Sequence, residues 1–338
     1  MEKHERDNQT SPTEFLLLGM GDMPTLQIPL FLLLLIIYLV TVVGNNLIVV
    51  LVVLEQHLHT PMYTFLGTLS SLETWYSSTT LPRLLASFLT GDRAISVYGY
   101  GCMAQFYFFS SFVATECYLL GAMSYDWYLA ICQPLLYVRR MTWKVCLQLV
   151  AASWLVGVFV SATVTAFLSQ INFCGPKTID HFFCDFTPLL ELSCSDTSVV
   201  TPVSFIVCFL SIIFPFLSTL VSYVCIVATI LRIPSSVSRK KAFSTCSSHL
   251  IVVTIFYVTL FIVYLLPTTA PLRQLNKVFS FFYTVLTPLV NPLIYSLRNR
   301  EVREALRKVL KKAMASTQGA RCMFHLQECI ICSFGLCK

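Results

Sequence analysis

Charge is what this sequence has least of. Only 12% of its 338 residues are Asp, Glu, Lys or Arg, against 56% hydrophobic, and the mean hydropathy is +0.73. A soluble domain needs charge for solvation, so that class is excluded. The deficit is concentrated: no charged residue occurs between Asp22 and Glu55, Lys144 and Lys177, Asp196 and Arg232, or Lys241 and Arg273. Each gap exceeds the roughly 20 apolar residues that cross a bilayer core. Lipid offers no partner to a free backbone group, so such spans are helices and the fold class is an all-α membrane protein.

Other absences narrow the function. Metal-ligand spacing with supporting histidines is missing; Cys329-x-x-Cys332 stands alone, and no metal is expected. Most of the 14 cysteines sit singly inside apolar runs, where cysteine behaves as a small hydrophobe. The formal net charge is +6, yet the bases cluster beside apolar spans rather than on an aromatic-laced soluble face, so nucleic acid is not an expected partner. A cleavable signal peptide is not expected either. Met1–Asp22 is polar and the first apolar run is too long, so that run should act as a signal anchor. No internal repeat of the transporter type is visible.

What is present reads as a seven-transmembrane helix bundle with a short amphipathic eighth helix. Spans are expected at 25–54, 60–88, 98–132, 142–168, 197–232 (interrupted at Pro215), 240–266 and 274–297. Beyond them Val302, Leu306, Val309 and Leu310 share one face opposite a basic one, the pattern of an interfacial helix lying on lipid. The divisions are an extracellular tail 1–24, the bundle 25–298, the amphipathic helix 299–312 and a cytoplasmic Cys-containing tail 313–338. Arg139, Arg140, Lys144, Arg232, Arg239, Lys240, Lys241 and the bases from Arg298 onward outnumber Lys3, Arg6, Arg83, Arg93, Lys177, Arg273 and Lys277. That bias puts the N-terminus outside and the C-terminus in the cytoplasm of a multi-pass plasma-membrane protein. Asn8-Gln9-Thr10 is then a lumenal glycosylation sequon. Cys322, Cys329, Cys332 and Cys337 follow an interfacial helix; palmitoylation and an inconsequential tail both stay open.

Five stretches carry a family resemblance. Met123–Cys132, MSYDWYLAIC, resembles the MAYDRYVAIC signature of olfactory receptors, within the rhodopsin-like G-protein-coupled receptors. HLHTPMY (His57–Tyr63), KKAFSTCSSHL (Lys240–Leu250), PLVNPLIYSLRN (Pro288–Asn299) and the pair Gly44-Asn45 are similar to its other motifs, in the same order. The resemblance covers roughly residues 8–312. One position departs: where the family carries Arg, this chain has Trp127.

The resemblance implies a set of sites. A bridge ties Cys102 to Cys184, and Cys174 with Cys194 matches an additional pair; spacing alone does not fix that connectivity. Asn45, Glu73, Glu116 and Asn291 would surround a small polar cavity. Two carboxylates there cannot both stay charged without a cation. A sodium- or proton-coupled switch and a pair of protonated structural acids both stay open, and no other cofactor is expected. The ligand wall would comprise Phe109, Ser110, Val113 and Ala114, then Val207 and Cys208, then Tyr257, Leu260, Phe261 and Tyr264, then Phe281 and Thr284. None of these carries charge, which suits a small neutral lipophilic molecule. Asp126, Trp127, Tyr128, Tyr223 and Tyr295 would serve activation and coupling. The expected function is that of an odorant receptor, not an enzyme, with a volatile odorant, membrane lipid and a heterotrimeric G protein of the stimulatory olfactory class as partners. Two alternatives remain: a receptor-like protein whose coupling Trp127 impairs, and a small-molecule transporter or channel. Trp offers one donor and no charge where Arg offers five and a permanent one, so Asp126 is expected to turn to Arg139 or Arg140 or to take up a proton.

Overall fold

The computed structural model describes residues 13–19, 24–97, 101–174, 177–265, 270–298 and 300–316. Asn8 and the tail beyond Ser316 lie outside them. The helices are α1 (Gln27–Leu54), α2 (Pro61–Thr90), α3 (Cys102–Cys132), α4 (Pro134–Arg140), α5 (Trp143–Leu168), α6 (Phe186–Glu191), α7 (Val200–Leu231), α8 (Ser236–Leu265), α9 (Ala270–Phe281), α10 (Thr287–Arg298) and α11 (Arg300–Ser316). A π-helical turn, Phe282–Leu286, joins α9 to α10 into one span.

Local chemistry sets the ends. Pro61 opens α2, where its missing N–H is no loss, and Gly91 closes it in the left-handed region at φ 69°. The Thr142 hydroxyl accepts the Val145 N–H at the start of α5. Among the described residues, six helices are long and apolar enough to cross a membrane. The exception is α2, with Glu73, Arg83 and a run of serines and threonines, packed between α1 and α3. Polar residues tolerate that place because neighbouring helices shield them from lipid. Pro215 does not break α7, which runs on through it.

The centre of the bundle is α3, against which α2, α5 and α7 all pack. Close approach depends on glycine: a Cβ on Gly157 of α5 would collide with Thr115 Oγ1 and the Ser111 carbonyl. At Gly121 a Cβ would stand 3.3 Å from Pro215 on α7. Small residues at such crossings let backbones approach, as membrane helices require.

Three short strands, absent from the expectations, form the outer cover. β1 (Glu14–Leu17) is antiparallel to β2 (Ala94–Ser96) and parallel to β3 (Thr178–Ile179), in the order β2-β1-β3. Alternation places Phe15 and Leu17 inward, both buried, with Glu14 and Leu16 outward. Phe15 meets Phe173 edge to face at 5.5 Å. Cys102 at the head of α3 is bonded to Cys184, and Cys174 to Cys194.

The Cys102–Cys184 bond spans 82 residues, a closure worth about 4 kcal/mol in the chain-entropy account. Cys102→Ser should therefore abolish surface expression, and flow cytometry of an epitope-tagged chain measures it. Normal trafficking would show the bond to be dispensable.

Candidate functional site

The disulfide places the loop before it as a lid. Cys184 N–H donates to Gln105 Oε1 (3.0 Å), and Gln105 Nε2 donates to the Thr79 carbonyl (3.0 Å), so loop, α3 and α2 are fastened together. Phe182 and Phe183, the residues just before Cys184, are buried at 2% and 0% exposure. Their rings form one packed group with neighbours on α2, α3, α9 and the π turn. Phe183 lies 4.6 Å from Phe109, Phe109 stacks on Tyr76 at 5.1 Å, and Phe182 lies 6.2 Å from Phe281. This plug fills the side of the bundle toward α2 and α9.

The open space is consequently on the other side of α3. A cavity of about 380 Å³ lies between α3, α5, α7, α8 and the lid, within the usual range for small-molecule sites. Ser110, Val113, Ala114, Cys208, Leu260 and Tyr264, all expected in the wall, line it. The other six expected members lie elsewhere. Phe109 and Phe281 belong to the plug, and Val207 packs into the outer core beside the lid. Phe261 lies against Phe216 at 4.8 Å, the Thr284 hydroxyl donates to the Ser280 carbonyl, and the Tyr257 hydroxyl donates to the Cys117 carbonyl (3.1 Å). Sequence reasoning missed Val160, Ser161 and Val164 of α5, and Asp185, Phe186 and Leu190 of the lid. The adjacency of two phenylalanines to a bridging cysteine was the available signal.

Asp185 corrects the expectation of an uncharged wall. It is 5% exposed, and its Oδ1 accepts the Phe186 N–H (2.8 Å) and the Tyr264 hydroxyl (3.1 Å). Tyr264 also meets the Tyr283 hydroxyl at 2.9 Å. Burial pushes the Asp185 carboxyl up to about 6, against the two hydrogen bonds. Nearby His181 is pushed down to about 3 by burial and by Lys277; Lys277 itself pairs with Asp180 at 2.7 Å.

A second cluster sits in mid-bundle. Asn45 Nδ2 donates to the Thr41 and Pro288 carbonyls (3.0 and 3.1 Å), and Asn291 Nδ2 donates to Glu73 Oε1. Glu116 lies within hydrogen-bonding reach of Glu73. One oxygen of each residue, Asn45 Oδ1, Glu73 Oε2, Glu116 Oε1 and Asn291 Oδ1, is buried with no partner among the described residues. Carboxyl and amide oxygens are the donor type that a hard cation takes, and Glu73, Glu116 and Asn291 are brought together here.

At the opposite end of the bundle a cavity of about 1070 Å³ is bordered by Asp126, Trp127, Tyr137, Lys240, Lys241 and Glu301, among others. Asp126 does not turn to Arg139 or Arg140, which are exposed; it accepts the Tyr137 hydroxyl of α4 at 3.1 Å. Half-buried Trp127 packs with Tyr128 against Tyr223, Ile226, Ile230 and Cys246 of α7 and α8. Tyr128 accepts from Gln133 Nε2 (2.9 Å), and the Tyr223 hydroxyl meets His249 Nδ1 at 2.6 Å. Tyr295 is on α10, its side chain outside the described residues.

Comparisons with known proteins agree on one family. A family model described as olfactory receptor matches residues 34–313. Olfactory receptor 6B1 of Homo sapiens is 47% identical over 305 residues, covering 90% of this chain and 97% of that protein. Olfactory receptor 6P1 of Homo sapiens is 49% identical over 297 residues, covering 88% and 93%. The crystal structure of squid rhodopsin is similar in fold, with a TM-score of 0.62 at 17% identity over 88% of this chain and 89% of that one.

The lid carries a testable pH signature. The raised Asp185 makes the folded state hold a proton that the unfolded state has lost, between the ordinary 3.8 and about 6. Its contribution to stability is full at low pH and falls as pH rises through that window. The depressed His181 acts oppositely: its contribution is present above 6.5 and is lost as pH falls toward about 3. The two largely cancel between pH 4 and 6. Relative to wild type, Asp185→Asn should therefore gain stability as pH rises there and His181→Gln should lose it, each by up to about 1.4 kcal/mol per pH unit. Melting of the purified protein in nanodiscs across that range reads the slopes.

Proposed function

Because the chain belongs to the olfactory receptor family, a receptor and not an enzyme, we propose that it is an odorant receptor for small, neutral, lipophilic molecules. The observation that carries this reading is the cavity between α3, α5, α7 and α8, mostly apolar and roofed by a disulfide-tethered lid. The N-terminus and lid face outward, the α11 end faces the cytoplasm, and the apolar face of α11 lies on membrane lipid. A bound odorant favours the state in which the inner end of α8 swings away from α3 and α7. The cleft so formed admits a G protein of the stimulatory olfactory class. Binding can drive this only to the extent that the odorant prefers one state over the other.

Asn45, Glu73, Glu116 and Asn291 would hold a sodium ion, whose charge would offset the paired carboxyls. The four buried oxygens without partners support this role. Asp185 bears on ligand choice as well. Close to neutral pH its carboxyl is largely ionised, since its pKa is raised only to about 6, so a carboxylate ligand meets a like charge in an apolar wall.

A second reading, weakened coupling, is favoured by Trp127. Its indole packs on the α7–α8 cluster that must separate, and it lacks the charge and donors of the arginine usual in the family. Asp126 already has a partner in Tyr137.

Matched alcohol, aldehyde and carboxylate series in a cyclic-AMP reporter line test the main reading. Responses should be confined to the neutral members, and a preference for carboxylates at neutral pH would remove the apolar-cavity assignment. For coupling, Trp127→Arg should raise the maximal response severalfold at equal surface expression and leave the rank order of odorants unchanged. A wild type that already responds fully, with nothing added by the substitution, would make Trp127 an accepted substitute.

A further inference from the structure

Serine and threonine hydroxyls inside helices ordinarily bond back to a carbonyl three or four residues earlier. Ser110 and Ser211 of the outer cavity wall follow that habit, as do Ser153 and Thr163 elsewhere on α5. Ser110 bonds the Phe106 carbonyl (2.7 Å), Ser153 that of Leu149 (2.8 Å), Thr163 that of Phe159 (2.8 Å) and Ser211 that of Cys208 (2.8 Å). Ser161 on α5 and Ser204 on α7 do not. Their side chains are 1% and 0% exposed, their Oγ atoms are buried without a partner among the described residues, and both line the cavity. An unpaired buried hydroxyl costs about 1–3 kcal/mol, so two of them in one cavity wall need an explanation.

We propose that Ser161 and Ser204 are specificity-determining residues that together donate to the carbonyl oxygen of the ligand, which makes the preferred odorant an aldehyde, ketone or ester. The inference rests on the odorant-receptor reading above and narrows its ligand class. A carbonyl oxygen brings two lone pairs and no hydrogen, so it takes both donors and leaves neither group unpaired. An alcohol oxygen can accept the same two donors, but its own hydrogen then needs a further acceptor that a carbonyl does not. Three other polar groups of the wall are already engaged: Ser110 with Phe106, Ser211 with Cys208, and Asp185 with Tyr264 and the Phe186 N–H. The rest of the ligand would lie against Val113, Ile212, Leu260 and Val263, which are apolar and line the same space.

The test is ligand-induced thermal stabilisation of the purified full chain in nanodiscs, which reads binding whether or not Trp127 weakens signalling. The probes are a panel of methyl ketones and the matched alkenes in which C=CH₂ replaces C=O. Wild type should bind the best ketone about tenfold or more tightly than its alkene. Ser161→Ala and Ser204→Ala should each lose about tenfold for the ketone and nothing for the alkene. Both variants should melt no lower than wild type without ligand, because each removes an unpaired buried group. Ser161→Thr, which keeps a hydroxyl, should retain more ketone affinity than Ser161→Ala. Equal losses for ketone and alkene would assign the serines to packing. Unchanged ketone affinity in both alanine variants would assign the hydroxyls to water, and either result overturns the proposal. If neither class stabilises the wild type, the cavity itself is not a ligand site and the odorant reading fails with it. Alkene binding without ketone preference overturns the carbonyl assignment alone.

Discussion

The covalent tie between Cys102 and Cys184 decides more of this molecule than its one bond suggests. It fixes the loop at the head of α3, and the two phenylalanines before it are drawn into the bundle as a consequence. Those rings occupy the volume between α2, α3 and α9, packed against Phe109 and Phe281. Close packing then leaves the outer cavity where the plug does not reach, on the α5–α7 side. Lid, plug and cavity are a single arrangement, and the polar contacts of Gln105 hold it in register.

The helices were legible in the sequence because lipid turns length and apolarity into a direct constraint. A run such as Gln27–Leu54 has no other way to satisfy its backbone. The strands were not legible, since segments of two to four residues carry no such constraint and their pairing joins residues far apart in the chain. The cavity was legible by half. Helical spacing tells which residues share a face, but it does not tell which neighbour has already filled the space opposite that face. Phe109 and Ser110 are adjacent on α3, yet one ends in the plug and the other in the wall. Asp126 shows the same gap at shorter range. Its partner Tyr137 depends on α4, a seven-residue helix whose register follows from Pro134 and which the apolar runs do not announce.

Polar groups within this apolar molecule fall into two kinds. Those that hold the architecture are paired: Asn45 with two carbonyls, Asp185 with Tyr264 and a backbone N–H, Tyr223 with His249. Some groups, Asn45 among them, keep a buried atom without a partner among the described residues: in the mid-bundle cluster, in the outer cavity wall at Ser161 and Ser204, and elsewhere in the helices at Thr80, Ser111, Thr219 and Thr287. A chain under pressure for stability alone would replace such groups with apolar ones of equal volume.

The outer sheet has a consequence for how the chain is made. β1 lies at residues 14–17 and its parallel partner β3 at 178–179. At roughly 5–20 residues per second of synthesis, the first strand waits on the order of ten seconds or more before that partner exists. Throughout that interval it is a hydrophobic strand with at least one open edge, the kind of segment that pairs with whatever is near. Cys102 likewise stands as a free thiol until Cys184 emerges. The outer cover thus closes long after its first strand is made, and a chaperone or oxidoreductase attending this protein would have a long task there.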